Sequence, residues 1–272
     1  MLFSLELADC HSTFLTGKAE RCFLFQKMEK SHQNLPPHRP NTTRSGRSCS
    51  HGDLAVSVVF PGLVTRESCS RFTCELIKHI LHQRHQLPLP YDQLLVFSRK
   101  QQSSEDSVCK RPKVGDSGSR QCQKALLDLD ELLSQLEVLF TLTSVPRVLL
   151  LLGGNPMSPK ELYEINMEGV HVGSGEQSLS TRPCLRQIFH SLFLADPFSD
   201  LRSSSLMTLA VMALAHRDCG TEWFRPKLYY KVPNRGHVVT VKLSCSEPQT
   251  LEQGSDDYIW FQAPVIVKGF HH

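Results

Sequence analysis

Apolar residues recur at helical spacing in three stretches of the chain, about 65–85, 120–142 and 181–195. Proline or Asp-Pro pairs close the first and third stretches, because proline cannot continue a helix. Ser180 or Thr181 can cap the third helix. Its apolar stripe consists of Leu185, Ile188, Phe189, Leu192 and Phe193. Each of these helices must bury its stripe against another element.

Shorter apolar runs bounded by Pro, Gly or polar residues predict strands. We expect them at 54–60, 148–152, 161–167, 206–214, 228–232, 237–243 and 258–267. The uninterrupted apolar run at 148–152 is typical of a central strand that is covered on both faces. Helices and strands do not alternate strictly, so the pattern predicts an α+β domain with three helices and about six strands.

The polar segments divide the chain into an arm and a domain. Residues 1–52 end in a stretch rich in Pro, Ser, Asn, Arg and His, which predicts a disordered N-terminal arm. Residues 53–272 carry the periodic patterns and form the predicted domain. Within it, residues 100–119 are polar and serine-rich without periodicity, and we expect a disordered internal loop there.

Composition narrows the class of protein. The 272 residues are 40% apolar, enough for a sizeable core, and the formal net charge of +3 indicates no broad nucleic-acid footprint. The ten cysteines are scattered without CxxC spacing, so we expect reduced thiols rather than a disulfide framework or a zinc site. No signal-peptide pattern and no membrane-spanning run is present, which predicts the cytosol or nucleus.

Sequence motifs for catalysis are missing. Gly153-Gly154 lacks the lysine of a phosphate loop, and His79, His82 and His85 form no HExxH metal motif. We interpret these histidines as solvent-facing, and acids such as Glu75 and Glu131 as helix-surface residues. We predict no catalytic residues, no metal and no cofactor. A nucleophilic cysteine with a distant histidine stays open, since such partners meet only in space.

One aromatic segment has two interpretations. Residues 223–230, WFRPKLYY, concentrate aromatic and cationic residues beside a proline. They can form the start of a strand with a packed Trp, or a binding loop, because interfaces favour Trp, Tyr and Arg.

The ordered part of the chain resembles the comet family of proteins that bind the checkpoint protein Mad-two. The matching motifs are VVFPG (58–62), FTCEL (72–76), QLPLPY (86–91), VPRVL (145–149), LGGN (152–155), SPKE (158–161), QSLST (177–181), WFRPKL (223–228) and DYIWFQAPV (257–265). They run in order from about residue 54 to the C-terminus. The first fifty or so residues do not resemble the acidic arm of that family.

The resemblance implies a HORMA-like fold, in which three helices pack on a mainly antiparallel sheet. Its C-terminal segment, matched by 258–270, closes on the sheet like a safety belt. The implied function is a non-enzymatic adaptor that silences the spindle assembly checkpoint. Such an adaptor binds the closed conformer of Mad-two and presents it to a hexameric AAA+ ATPase of the pachytene-checkpoint type. That ATPase opens Mad-two and dismantles the mitotic checkpoint complex.

The resemblance also implies two binding sites. Gln83 and Phe189 match positions that contact Mad-two, although Phe189 also fits a core position. Pro226 and Lys227 match positions that contact the ATPase. Neither nucleic acid nor membrane is an expected partner, and the implied location is nucleus and cytoplasm, with spindle and kinetochore association in mitosis. The alternatives are a HORMA-like scaffold in meiosis or DNA repair, and a cysteine hydrolase.

Overall fold

The computed structural model describes residues 54–105, 117–173, 175–199, 205–234, 236–246 and 257–270. All of these residues belong to one unit, His51–His272. The arm predicted over residues 1–52 and residues 106–116 of the predicted internal loop lie outside the described residues. Across the described helices, none is both long enough and apolar enough to cross a membrane.

The described strands form one eight-stranded sheet. They are β1 (Leu54–Phe60), β2 (Arg147–Gly153), β3 (Glu161–Gly169), β4 (Thr208–His216), β5 (Arg225–Lys227), β6 (His237–Cys245), β7 (Tyr258–Gln262) and β8 (Val267–Lys268). Their order is β1-β6-β3-β2-β4-β7-β5, and β8 also pairs with β4. β6 runs parallel to β1 and β3, whereas the other pairs are antiparallel. The predicted α+β class with a mainly antiparallel sheet is confirmed.

Helices cover one face of this sheet. In the described part they are α1 (Arg66–Gln83), α2 (Tyr91–Glu105), α3 (Ser117–Leu142) and α4 (Thr181–Ala195). α1 contacts both α3 and α4, and α4 packs on β1. The central α1 is therefore buried along most of its length.

The helix count is four rather than the predicted three, because α2 was not predicted. Its first two turns bury Tyr91 and Leu94, too few apolar positions to set a helical period. α2 also extends to Glu105, and α3 begins at Ser117. Helical backbone therefore occupies both ends of the range 100–119 that was predicted to be a loop.

The apolar run of β2 is buried on both faces, as predicted. Val148, Leu150 and Leu152 join the main core under the helices. Leu149 and Leu151 point to the other face, because successive strand side chains alternate, and pack there beside Trp260. Residues of the β5–β6 connection, Tyr230 and Val232, pack against this second cluster.

The C-terminal segment closes on the domain's own sheet. β7 pairs antiparallel with β4 from Met212 to His216, and β8 pairs with the start of β4. Phe270 is buried in the main core. This arrangement confirms the predicted belt-like closure of residues 258–270.

The strand predicted over 228–232 is wrong. β5 lies three residues earlier, at Arg225–Lys227. Leu228 and Tyr229 are instead the central residues of a turn, in which the Tyr230 N–H donates to the Lys227 carbonyl at 3.3 Å. The strand was predicted to begin after Pro226, because a proline argues against a strand. An edge strand accepts a proline, however, and the apolar residues that follow lie in the turn.

Candidate partner-binding surfaces

The first surface forms where the C-terminal end of α1 meets α4. We call it the α1–α4 surface and define it by His79, Gln83, Phe189 and Phe198. The His79 ring lies 5.1 Å from the Phe189 ring and 5.8 Å from the Phe198 ring, measured between centroids. Gln83 follows His79 by one helical turn and shares its face. The structure thus brings the elements that carry Gln83 and Phe189 together.

Phe189 is half-buried, so it fits both the core and the surface interpretation. It packs against the main core, where Leu185, Ile188 and Leu192 are fully buried. Phe193, predicted to lie on the buried stripe, is instead 39% exposed. The apolar stripe of α4 therefore continues out of the core, which leaves aromatic surface for a partner.

The three histidines in and just after α1 were predicted to face solvent, and two of them face it only in part. His79 and His82 are half-buried, while His85 is exposed. His79 is held between two aromatic rings rather than directed to water. Sequence periodicity missed this position because α4 and the segment after it, which supply the rings, are distant along the chain.

A cleft of about 310 Å³ lies beside Gln83. Its lining residues are His82, Gln83, Arg84, His85, Asp196, Phe198 and Ser199. Two of them, His85 (φ 55°) and Asp196 (φ 41°), adopt the left-handed conformation, which is uncommon outside glycine. Both follow helix ends, so the reversals after α1 and α4 shape this cleft.

A buried ion pair fixes the end of α1 at the cleft. Arg84 donates from Nε to one oxygen of Glu161 at 2.8 Å and from a terminal nitrogen to the other at 2.6 Å. The Tyr163 hydroxyl donates to Glu161 at 2.8 Å. Burial raises the pKa of Tyr163 well above its usual range, and the nearby Glu161 raises it further. This network holds the neighbouring Gln83 in a defined position.

The second surface is the exposed edge of the sheet at β5. We call residues 225–229 the β5 tip, and all five are exposed. Pro226 and Lys227 lie at its centre. β5 pairs on one side with β7, and the sheet ends there. Both residues are therefore available to a partner.

The β5 tip is anchored by the two aromatic residues that precede it. Phe224 is buried, and its ring meets the Trp223 ring edge-on at 4.8 Å. The Trp223 indole N–H donates to Glu131 of α3 at 2.8 Å. In segment 223–230 the first two residues pack and the next five are exposed, so the binding interpretation stays a prediction for residues 225–229.

The two surfaces lie on separate parts of the domain. α4 packs on β1, the strand at one end of the sheet, whereas β5 is the strand at the other end. The two surfaces share no residue and no helix or strand of the domain. This separation is the geometry that an adaptor for two proteins requires.

Two of the described thiols, Cys69 and Cys74, are poor nucleophiles. The six described cysteines are free, and burial raises the pKa of Cys69 and Cys74 to about 12. A thiol with such a pKa is almost entirely protonated near neutral pH, whereas the thiolate is the reactive form. Among the described residues, no cluster of three His, Cys, Asp or Glu side chains could hold a metal ion.

The fold and its two surfaces define a HORMA-like, protein-binding α+β domain. A sequence model of the p31comet family, described as "Mad1 and Cdc20-bound-Mad2 binding", matches residues 25–272. The chain belongs to the p31comet family. The match begins inside the arm predicted over residues 1–52.

Two relatives of the chain share one name. The MAD2L1-binding protein of Mus musculus is 49% identical over 255 residues, covering 91% of this chain and 92% of the relative. The MAD2L1-binding protein of Homo sapiens is 54% identical over 253 residues, covering 90% of this chain and 92% of the relative. The family match over residues 25–272 includes both the α1–α4 surface and the β5 tip. Both relatives are named as binding proteins rather than as enzymes.

Proposed function

We propose that this protein is a non-enzymatic adaptor that binds the closed conformer of Mad2, the checkpoint protein Mad-two, through the α1–α4 surface. Gln83 and Phe189 are its principal contacts. The family description and the names of the relatives support Mad2 as the partner. The structural support is the half-buried Phe189, whose ring contacts His79, because His79 also contacts Phe198 in the lining of the cleft at Gln83.

The second half of the proposal concerns the β5 tip. Through Pro226 and Lys227 the adaptor presents closed Mad2 to a hexameric AAA+ ATPase of the pachytene-checkpoint type. The ATPase converts Mad2 to the open form, dismantles the mitotic checkpoint complex and silences the spindle assembly checkpoint. The observation that carries this proposal is the separation of the two surfaces, because both partners can bind at once.

The adaptor contributes binding energy rather than chemistry. A partner shifts a two-state protein only through its different affinity for the two states. Selective binding of closed Mad2 therefore marks the conformer that the ATPase must act on. The proposed location of the adaptor is the nucleus and cytoplasm, with spindle and kinetochore association in mitosis.

The Mad2 half is tested with the full chain and purified closed Mad2. We expect Gln83→Ala combined with Phe189→Ala to weaken binding by about 30-fold or more, since the loss of even one interface hot spot costs about 2 kcal/mol or more. Leu127→Ala is the matched control, because Leu127 is 70% exposed on α3 and is not one of the residues that define the α1–α4 surface. Unchanged Mad2 binding by the folded double variant would contradict the proposal.

Phe189 also contacts the core, so the double variant needs a second test. A melting temperature close to wild type shows that the domain stays folded. If it unfolds, Gln83→Arg places a bulky charge on the same face without removing core contacts. Normal Mad2 binding by Gln83→Arg would then reject the surface.

The ATPase half is tested by reconstituted conversion of closed Mad2. Pro226→Ala combined with Lys227→Ala should leave Mad2 binding intact and slow the adaptor-stimulated conversion. An unimpaired rate, or a simultaneous loss of Mad2 binding, would contradict this assignment. Affinity capture from mitotic cells separates the alternatives: checkpoint subunits support the proposal, and meiotic or repair proteins favour the scaffold.

A further inference from the structure

Tyr229 is the most exposed large apolar side chain in the described part of the protein. It is 93% exposed, and Leu228 beside it is 64% exposed. Both follow Lys227 directly. An isolated exposed leucine is ordinary on a protein surface, but an aromatic residue so fully in water beside a second apolar side chain indicates a binding surface.

The two exposed side chains lie in a hydrogen-bonded turn. The Tyr230 N–H donates to the Lys227 carbonyl at 3.3 Å, which makes Leu228 and Tyr229 the two central residues of a β-turn. On the N-terminal side, Arg225, Pro226 and Lys227 pair with β7.

The C-terminal side of the turn is held as well. The Tyr230 ring packs edge-on against Trp260, with centroids 6.0 Å apart. Val232 packs on the same apolar cluster. The turn is therefore held from both sides before any partner arrives. A side chain presented in this way loses little conformational entropy on binding.

The charges within residues 225–231 have one sign. Arg225, Lys227 and Lys231 are exposed, and the sequence from 225 to 231, RPKLYYK, contains no acidic residue. Such a surface complements a negatively charged partner. Pro226 also lacks an N–H, so this sheet edge is poorly suited to adding a partner's strand. Side chains rather than backbone must therefore carry the recognition.

We propose that Leu228 and Tyr229 form the apolar anchor of the β5 tip, and that this anchor inserts into an apolar pocket bordered by acidic side chains. The proposal rests on the proposed function, because it assigns that pocket to the AAA+ ATPase. Pro226 and Lys227 then shape and charge the rim, and Tyr229 supplies most of the buried area. Central aromatic anchors surrounded by polar rims are the usual anatomy of tight interfaces.

The test measures binding of the purified ATPase to the full-length adaptor, with and without bound Mad2. We expect Tyr229→Ala to weaken ATPase binding by about tenfold or more, while Tyr229→Phe, which keeps the ring, changes it by less than about threefold. Mad2 binding and the melting temperature should not change. Met157→Ala is the matched control, because Met157 is 71% exposed but lies outside the β5 tip.

A parallel measurement on the Pro226→Ala, Lys227→Ala variant separates the two proposals. If that variant loses ATPase binding and Tyr229→Ala does not, the anchor is rejected and the proposed function stands. If neither variant loses ATPase binding, both proposals fail for this surface. If Tyr229→Ala lowers adsorption to phosphatidylserine vesicles and leaves ATPase binding intact, the surface is a membrane contact and the anchor proposal is overturned.

Discussion

The main-chain N–H of Phe270 donates a 3.0 Å hydrogen bond to the carbonyl of Gln86, which joins the end of the described chain to the residues that follow α1. The Gln86 side chain extends this connection. Its Oε1 accepts the Met207 N–H at 2.6 Å, and its Nε2 donates to the Arg84 carbonyl at 2.8 Å. One buried residue therefore links three parts of the domain: its side chain joins the end of α1 to the residue before β4, and its main-chain carbonyl holds the C-terminal belt.

Removing this side chain should loosen the belt. Gln86→Ala leaves the buried Met207 N–H without its acceptor, and an orphaned buried donor costs about 1–3 kcal/mol. We expect a melting temperature lower by several degrees and faster hydrogen exchange at Gly269 and Phe270. The control is Gln83→Ala, a half-buried glutamine one turn away that has no part in the belt. Equal stability of the two variants would contradict the role of Gln86.

The Arg84–Glu161 pair makes a second stability prediction. Glu161→Gln removes one charge of a buried, doubly hydrogen-bonded pair and leaves Arg84 uncompensated. Breaking such a pair costs about 3–5 kcal/mol. For a domain of this size that corresponds to a melting temperature lower by roughly 6–20 °C.

A surface ion pair provides the control for Glu161→Gln. Arg71 and Glu137 lie 3.8 Å apart with both side chains more than 40% exposed. Glu137→Gln should therefore change stability by less than about 1 kcal/mol. If chemical denaturation gives Glu161→Gln and Glu137→Gln similar free energies of unfolding, the buried pair has no special importance.

Periodicity predicted those parts of the fold whose burial is set by neighbouring residues. The stripes of α1 and α3 and the doubly covered β2 follow from helical and strand periods that the core requires. α2 did not follow, since Tyr91 and Leu94 alone define no period. The burial of one charged residue was also not predicted: Glu75, predicted to lie on the surface, is buried and pairs with Lys78, one helical turn further on, at 2.6 Å.

The candidate surfaces were predicted through family resemblance rather than through chemistry visible in the sequence. Nothing local distinguishes Gln83 from other helical glutamines, and its position depends on the distant pair Arg84–Glu161. Sequence alone left segment 223–230 ambiguous between packing and binding. The contact of Trp223 with Glu131, on a helix far away in sequence, resolves which residues pack and which stay exposed.

The buried thiols predict a loss of stability at alkaline pH. Burial raises the pKa of Cys69 and Cys74 from 9.0 to about 12, whereas in the unfolded chain they ionise near their ordinary value. The stability that these two thiols contribute to the folded state is therefore complete below pH 9. It decreases as the pH rises from 9 toward 12, because only the unfolded state then releases protons.

Urea unfolding between pH 7 and 10.5, in the presence of a reductant, measures this decrease. The variant Cys69→Ala with Cys74→Ala should be less stable at pH 7 but should show a flatter dependence above pH 9. Parallel curves for the variant and the wild type would contradict the assignment. Alkylation of the native protein at pH 8 gives a second readout, because both thiols should react only after denaturation.

The N-termini of α1 and α4 provide a matched pair for the last prediction. The Thr65 hydroxyl oxygen accepts the Ser68 N–H at 3.0 Å, whereas Ser180, in the same position before α4, makes no side-chain capping bond. Thr65→Ala should cost about 1 kcal/mol, the usual value of a lost N-cap, and lower the melting temperature by about 2–4 °C. Ser180→Ala should have almost no effect, because no hydrogen bond is lost. Calorimetry of both variants tests this prediction. An equal loss of stability in the two variants would mean that the residue type at the cap position, rather than the observed hydrogen bond, determines the stability of α1, the helix that carries Gln83.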